Sequence, residues 1–193
     1  MRTGEGKAVL FDRDGTLVAD VAGNRDPNRL RAMPQARATL RRLRDAGYRV
    51  GVITNQPGIG DGWIDEATLA ALHARIERLI GSVDGWFVCT HSASERCECR
   101  KPAPGLILRA AAALGVHPSE CVVVGDIGSD LEAARRAGAR SVLVPTPKTR
   151  KEEVRAAHTV AQDLAAAASL ILGDPGGFVA RGAAEPLGGA PVK

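Results

Sequence analysis

KAVLFDRDGTL, residues 7–17, is the stretch that decides the fold. Ala8-Val9-Leu10-Phe11 is an apolar run of the length expected for a strand buried on both faces, and it ends abruptly in Asp12, Asp14 and Gly15. Side chains alternate along a strand, so Asp12 and Asp14 are expected to point the same way and to repel unless a cation lies between them. Gly15 lets backbone approach a bound anion, and Thr16 adds a hydroxyl beside it. An aspartate can attack phosphorus to give a reactive acyl phosphate, and a second can protonate the leaving oxygen. Acidic-glycine pairs after strands are also ordinary turn chemistry, so the rest of the chain must decide.

Outward from that stretch, strands and helices alternate. The loop Val18 to Met33 holds Asp20, Asn24, Arg25, Asp26 and Pro27, and Pro34 is expected to open a helix that Gly47 stops. Tyr48 to Ile53 reads as a second buried strand ending in Thr54-Asn55-Gln56. A glycine-rich loop follows, and Asp65 is placed to cap a helix whose Leu69, Leu72, Ile76, Leu79 and Ile80 keep the helical period. His73 reads as a boundary residue of that helix. Trp86 to Val88 is a third strand leading to Arg100-Lys101, and Cys121 to Val124 a fourth leading to a loop Gly125 to Asp130. A helix Leu131 to Ala137 and a strand Ser141 to Val144 come next, then helices near Lys151 to Ala157 and Asp163 to Leu172. This alternation predicts an α/β, Rossmann-like parallel sheet flanked by helices, with its site at the carboxyl ends of the strands.

The polar residues fall at those ends: Asp12 and Asp14, Thr54 and Asn55, Arg100 and Lys101, Asp126 and Asp130. Each pair has an ordinary reading as a turn, a solvated pair or a helix start. Together they supply the parts phosphoryl transfer needs, with Asp126 and Asp12 suited to a hard cation such as Mg²⁺.

A second cluster lies just before Arg100. Cys89-Thr90-His91, five residues, then Cys97-Glu98-Cys99 gives C-x-H-x5-C-x-C, a spacing suited to one tetrahedral Zn²⁺. A disulfide is the alternative, disfavoured in a cytoplasmic setting and by the poor geometry of residues two apart. Cys121, within a buried strand, reads as core.

The ordered set DRDGT, TNQ, RKP and GDxxxD resembles the four motifs of the haloacid dehalogenase superfamily, over about residues 7–172. The resemblance implies Asp12 as nucleophile, Asp14 as general acid and base, and Thr54, Asn55 and Gln56 as phosphate and substrate contacts. It also implies Lys101 as the motif lysine, and Asp12, the Asp14 carbonyl and Asp126 as Mg²⁺ ligands. Asp130 is expected to orient neighbours or cap a helix. The cysteine–histidine loop, with TNQ and RKP, is similar to the zinc-containing subgroup of heptose bisphosphate and histidinol-phosphate phosphatases. That similarity implies a heptose 1,7-bisphosphate or related sugar phosphate as substrate, with histidinol phosphate as the alternative and Arg100 as a substrate contact. No segment has room for a large cap domain, so loops 20–27, 57–62 and 92–96 are expected to read the substrate.

The chain has 193 residues, 45% of them hydrophobic and only 3% aromatic, so the core must be built from Ala, Val, Leu and Ile. The net charge of +4 is spread over separate basic runs without interleaved aromatics, which disfavours a nucleic-acid end-processing phosphatase. A non-catalytic zinc-containing scaffold leaves Asp12, Asp14, Lys101 and Asp126 unexplained. No apolar run reaches membrane-span length and no signal-peptide pattern opens the chain, so a cytoplasmic monomer acting on a small phosphorylated molecule is expected. Residues 1–172 are expected to form one domain and residues 173–193, rich in Gly, Pro and Ala, a disordered tail.

Overall fold

The computed structural model describes residues 6–173, so the expectation for the tail lies outside the described residues, apart from Gly173. The strands are β1 (Ala8–Phe11), β2 (Arg49–Asn55), β3 (Gly85–Cys89), β4 (Cys121–Gly125) and β5 (Arg140–Leu143). They form one five-stranded sheet in the order β3-β2-β1-β4-β5, with every pairing parallel. The α/β class expected from the alternation is the class observed. Chain order runs outward from β1 to β3, then returns to β4 beside β1. That reversal opens a crevice beyond the carboxyl ends of β1 and β4, where open parallel sheets take their ligands.

Both sheet faces are covered, and the apolar strands show why. Val9, Phe11, Val50, Val52, Val122 and Val124 face one core with residues of α1 (Ala36–Asp45), α2 (Glu66–Ile80) and α6 (Leu164–Leu172). Ala8, Leu10, Ile53 and Val123 face the other, with residues of α3 (Gly105–Ala113) and α4 (Gly128–Ala137). A short α5 (Lys151–Ala156) follows β5. Strand alternation thus divides one apolar run between two cores. Cys121 is fully buried, as a core residue should be.

Two helix starts differ from the sequence expectation by two or more residues. Helix α1 starts at Ala36 and not at Pro34, because Gln35 takes a left-handed φ of 64° before the helix begins. Helix α4 starts at Gly128, three residues before the expected Leu131, because Asp130 Oδ2 accepts a hydrogen bond from Ile127 N (3.3 Å) and caps the first turn. The expected exit loop is therefore mostly helix. Among the described residues, no helix is long and apolar enough to cross a membrane.

Between β1 and α1 the chain makes a compact flap rather than a separate domain. Gly15 N bonds Val18 O (2.8 Å), Met33 N bonds Leu17 O (2.9 Å), and Ala19 N bonds Arg31 O (2.9 Å). Arg25 Nη1 then reaches Trp63 O at 3.2 Å, tying this flap to the loop after β2. That loop is tied onward by Gly60 N to Thr90 O at 2.9 Å.

Candidate active site

The register Phe11↔Val124 brings the ends of β1 and β4 side by side, and Asp12 N donates to Val124 O at 2.9 Å. Asp12, Asp126 and Asp130 are 8%, 5% and 0% exposed, and one carboxylate oxygen from each lies within 4.8 Å of the others. The crowding leaves no room for a side chain at residue 15. Gly15 has φ +87°, and a Cβ there would sit 2.3 Å from Asp126 Oδ2.

Lys101 Nζ enters this cluster from the loop after β3. It meets Asp12 Oδ1 at 2.5 Å, Asp130 Oδ1 at 2.6 Å and Ile53 O at 3.1 Å. Burial pushes Asp12 up to about 7 against the pull of Lys101, and burial with the Asp130 charge pushes Asp126 up to about 6. Burial opposes the charge on Lys101, but Asp12 and Asp130 outweigh it and raise the lysine. When all are ionised, three carboxylates against one ammonium carry an excess of two negative charges in a buried, oxygen-rich site. Such a donor set fits a hard divalent cation such as Mg²⁺.

Asp14 behaves differently from the sequence expectation. The strand ends at Phe11, so the two-residue alternation no longer applies, and the Asp14 carboxylate turns away from the cluster. Its Oδ2 accepts from Arg13 Nε (2.9 Å) and Gln56 Nε2 (2.9 Å) and pairs with Arg13 Nη2 (2.8 Å). Its carboxylate is therefore not among the three gathered in the cluster. Its side chain stays partly exposed at the mouth of the crevice.

The remaining residues assigned from sequence are also gathered here, with tasks the sequence did not show. Thr54, 1% exposed, accepts from Gln56 Nε2 at 2.9 Å. Asn55 was expected at the substrate, yet its amide clamps the Lys101 backbone: Lys101 N donates to Oδ1 (3.0 Å) and Nδ2 donates to Lys101 O (3.1 Å). Gln56 likewise links Asp14 to Thr54. Arg100 is half-buried with Nη1 unpartnered. Asp130 both anchors Lys101 and caps α4. Thr16 Oγ1 (3.4 Å) and Thr146 Oγ1 (3.5 Å) reach the Asp126 carboxylate, and Thr149 Oγ1 donates to its backbone carbonyl at 2.6 Å. Sequence reading missed Arg13, Thr146 and Thr149. Arg13 lies in the turn beyond β1, where its contact with Asp14 is set by the backbone path and not by strand alternation, and the threonines carry no motif.

The second cluster is the cysteine–histidine loop. One ligand atom each from Cys89, His91, Cys97 and Cys99 falls within the same 4.8 Å limit, and all four cysteines of the chain are free thiols. Cys97 Sγ is 3.7 Å from both Cys89 Sγ and Cys99 Sγ, and His91 Nδ1 is 3.5 Å from Cys89 Sγ and 3.2 Å from Cys99 Sγ. A tetrahedral zinc with Zn–S of about 2.3 Å and Zn–N of about 2.0 Å has S···S edges near 3.75 Å and S···N edges near 3.5 Å. The observed edges match a site that could hold Zn²⁺. Arg100 N donates to Cys97 Sγ at 3.4 Å, joining this loop directly to the residue before Lys101.

Residues 98–167 match the HAD-hydrolase-like family model. The chain is 35% identical over 175 residues to D-glycero-beta-D-manno-heptose-1,7-bisphosphate 7-phosphatase of Bordetella bronchiseptica, covering 86% of this chain and 98% of that protein. It is 36% identical over 148 residues to D-glycero-alpha-D-manno-heptose-1,7-bisphosphate 7-phosphatase of Mycobacterium tuberculosis, covering 72% and 76%. The crystal structure of the B. bronchiseptica phosphatase, complexed with magnesium and phosphate, superposes with a TM-score of 0.78 at 32% identity, covering 87% of this chain and 99% of that one. With its sheet order, carboxylate cluster and near full-length similarity, the chain belongs to the haloacid dehalogenase-like hydrolases, in the family of the heptose-1,7-bisphosphate 7-phosphatases.

Proposed function

We propose that this protein is a Mg²⁺-dependent phosphomonoesterase that removes the 7-phosphate of D-glycero-D-manno-heptose 1,7-bisphosphate through an aspartyl-phosphate on Asp12. The observation that carries the reading is the placement of Asp12 against Lys101 and Asp126, with Asp14 held apart at the mouth. The heptose substrate follows from relatives that share almost their full length with this chain.

In the first step Asp12 attacks phosphorus, the P–O bond to the sugar breaks, and Asp14 gives its proton to the sugar oxygen. In the second, Asp14 takes a proton from water, whose oxygen attacks the phosphorus and releases Asp12. Lys101 and Thr54 stabilise charge on the transferring group, and Asn55 fixes Lys101 through its backbone. Asp12, the Asp14 carbonyl and Asp126 would hold Mg²⁺, which would supply charge neutralisation for the carboxylates and phosphoryl oxygens. Zn²⁺ on the cysteine–histidine loop is structural in this reading, since four protein ligands leave no open position. It stiffens the loop that presents Arg100 and Lys101.

Three joined loops supply the recognition surface: the flap, the loop after β2 and the cysteine–histidine loop. Lys148 Nζ bridges to Asp20 at 2.6 Å on the same rim. Several cations of the basic runs are engaged locally, Arg135 and Arg136 with Glu132 and Arg150 with Glu153, which favours a small phosphorylated partner over nucleic acid. Free thiols suited to a metal accord with a cytoplasmic setting.

The test is phosphate release with Mg²⁺, comparing the α and β heptose 1,7-bisphosphates with histidinol phosphate and a generic ester. Strong selectivity for one heptose anomer is expected. Preference for histidinol phosphate overturns the substrate, and no release from any ester overturns the activity.

A further inference from the structure

All three donors that reach Asp14 converge on one oxygen. Arg13 brings Nε to 2.9 Å and Nη2 to 2.8 Å of Oδ2, and Gln56 Nε2 adds a third contact at 2.9 Å. Among the described residues, Oδ1 accepts no hydrogen bond. A carboxyl group gripped this way cannot swing freely, and its ungripped oxygen is the one left to exchange a proton.

Arg13 itself is 6% exposed, unusual for an arginine one residue from solvent-facing chemistry. Its Nη1 is buried and unpartnered, and so is Nε2 of His73 in α2. His73 stacks on Trp86 with ring centroids 3.8 Å apart and planes within 9°, and Trp86 Nε1 is anchored on Glu77 at 2.7 Å. Burial, and then the Arg13 charge, pushes His73 down to about 4, so its ring is neutral and adds no positive charge near Arg13.

We propose that Arg13 is a positioning residue for Asp14: its fork on Oδ2 sets the carboxyl so that Oδ1 meets the reacting ester. This rests on the reading of Asp14 as acid and base. It gives a reason for an arginine between the two aspartates that neither metal binding nor packing supplies.

The leaving group separates this role from a merely structural one. A sugar alkoxide needs a proton to depart, whereas nitrophenolate departs as a stable anion. For Arg13→Met, kcat on the heptose bisphosphate is expected to fall on the order of 10- to 100-fold with KM little changed. On p-nitrophenyl phosphate the same variant should release a first equivalent of nitrophenolate at the wild-type rate, then turn over slowly, because Asp14 is also the base for the second step. Arg13→Lys should recover part of the loss. Zinc content and thermal unfolding report whether each variant folds; should Arg13→Met fail to fold, Arg13→Gln, which keeps a polar side chain and removes the charged fork, carries the same comparison. Equal loss of the first step on both esters, or no loss on either, overturns the proposal alone. A wild-type protein that cleaves neither ester overturns the phosphatase reading together with it.

Discussion

At the scale of single residues, the site is a balance of buried charge. Asp12 sits against Lys101 in a cluster with two further acids, so removing its charge relieves crowding while deleting the nucleophile. For Asp12→Asn, turnover is expected to drop by about 10³-fold or more, while zinc content and the melting temperature hold or rise; phosphate release and metal analysis on the same sample check it, and retained turnover would remove Asp12 from the reaction. Gly15→Ala places a methyl where Asp126 Oδ2 lies 2.3 Å away and asks an L-residue to hold φ +87°. A stability loss of about 1–3 kcal/mol is expected, with weakened Mg²⁺ activation, from denaturant titration and Mg²⁺-dependent kinetics. Asp12 and Asp126 were legible in the sequence because each directly follows a strand, and Lys101 because the RKP stretch stands after the third. The clamp role of Asn55 was not, because its partner is a backbone 46 positions away.

At the scale of elements, the cysteine–histidine loop and the lysine it precedes act as one unit, since Arg100 N bonds Cys97 Sγ and Asn55 bonds both sides of Lys101. Cys97→Ser is expected to release zinc and lower kcat on the order of 10-fold without touching the carboxylates; full activity in a zinc-free variant would show that the loop does not need the metal. A contrast is available in α2, whose N-terminal Asp65 accepts from Thr68 N at 2.7 Å. Asp65→Ala should cost about 1 kcal/mol of stability and leave kinetics unchanged, because this cap is remote from the carboxylates. The sequence marked that cap correctly, and it misplaced the start of α4. Capping by Asp65 is a local matter, whereas α4 starts early because Asp130, drawn inward by Lys101, also accepts from Ile127 N.

At the scale of the whole molecule, metal, protons and folding are linked. Asp12 and Asp126 have pKa values raised to about 7 and about 6, above the value near 4 of an unfolded aspartate. The Mg²⁺-free folded protein therefore keeps protons that the unfolded chain has lost, and its stability declines as pH rises from about 4 through 7. Bound Mg²⁺ favours the same carboxylates ionised, so the gain in melting temperature on adding Mg²⁺ should grow from pH 5 to pH 8. A gain independent of pH would place the ion elsewhere. The sequence by itself determined the α/β class, the two sheet-facing apolar patterns, the four strand-end motifs and the zinc spacing, because these are written in local periodicity and short-range order. Tertiary structure decided which groups hold which. The return of β4 beside β1 brings residues more than a hundred positions apart into one cluster, while the turn after β1 directs Asp14 toward Arg13 and Gln56 and the loop after β3 sets Lys101 on Asn55. Those partnerships depend on distances through space that no local pattern records.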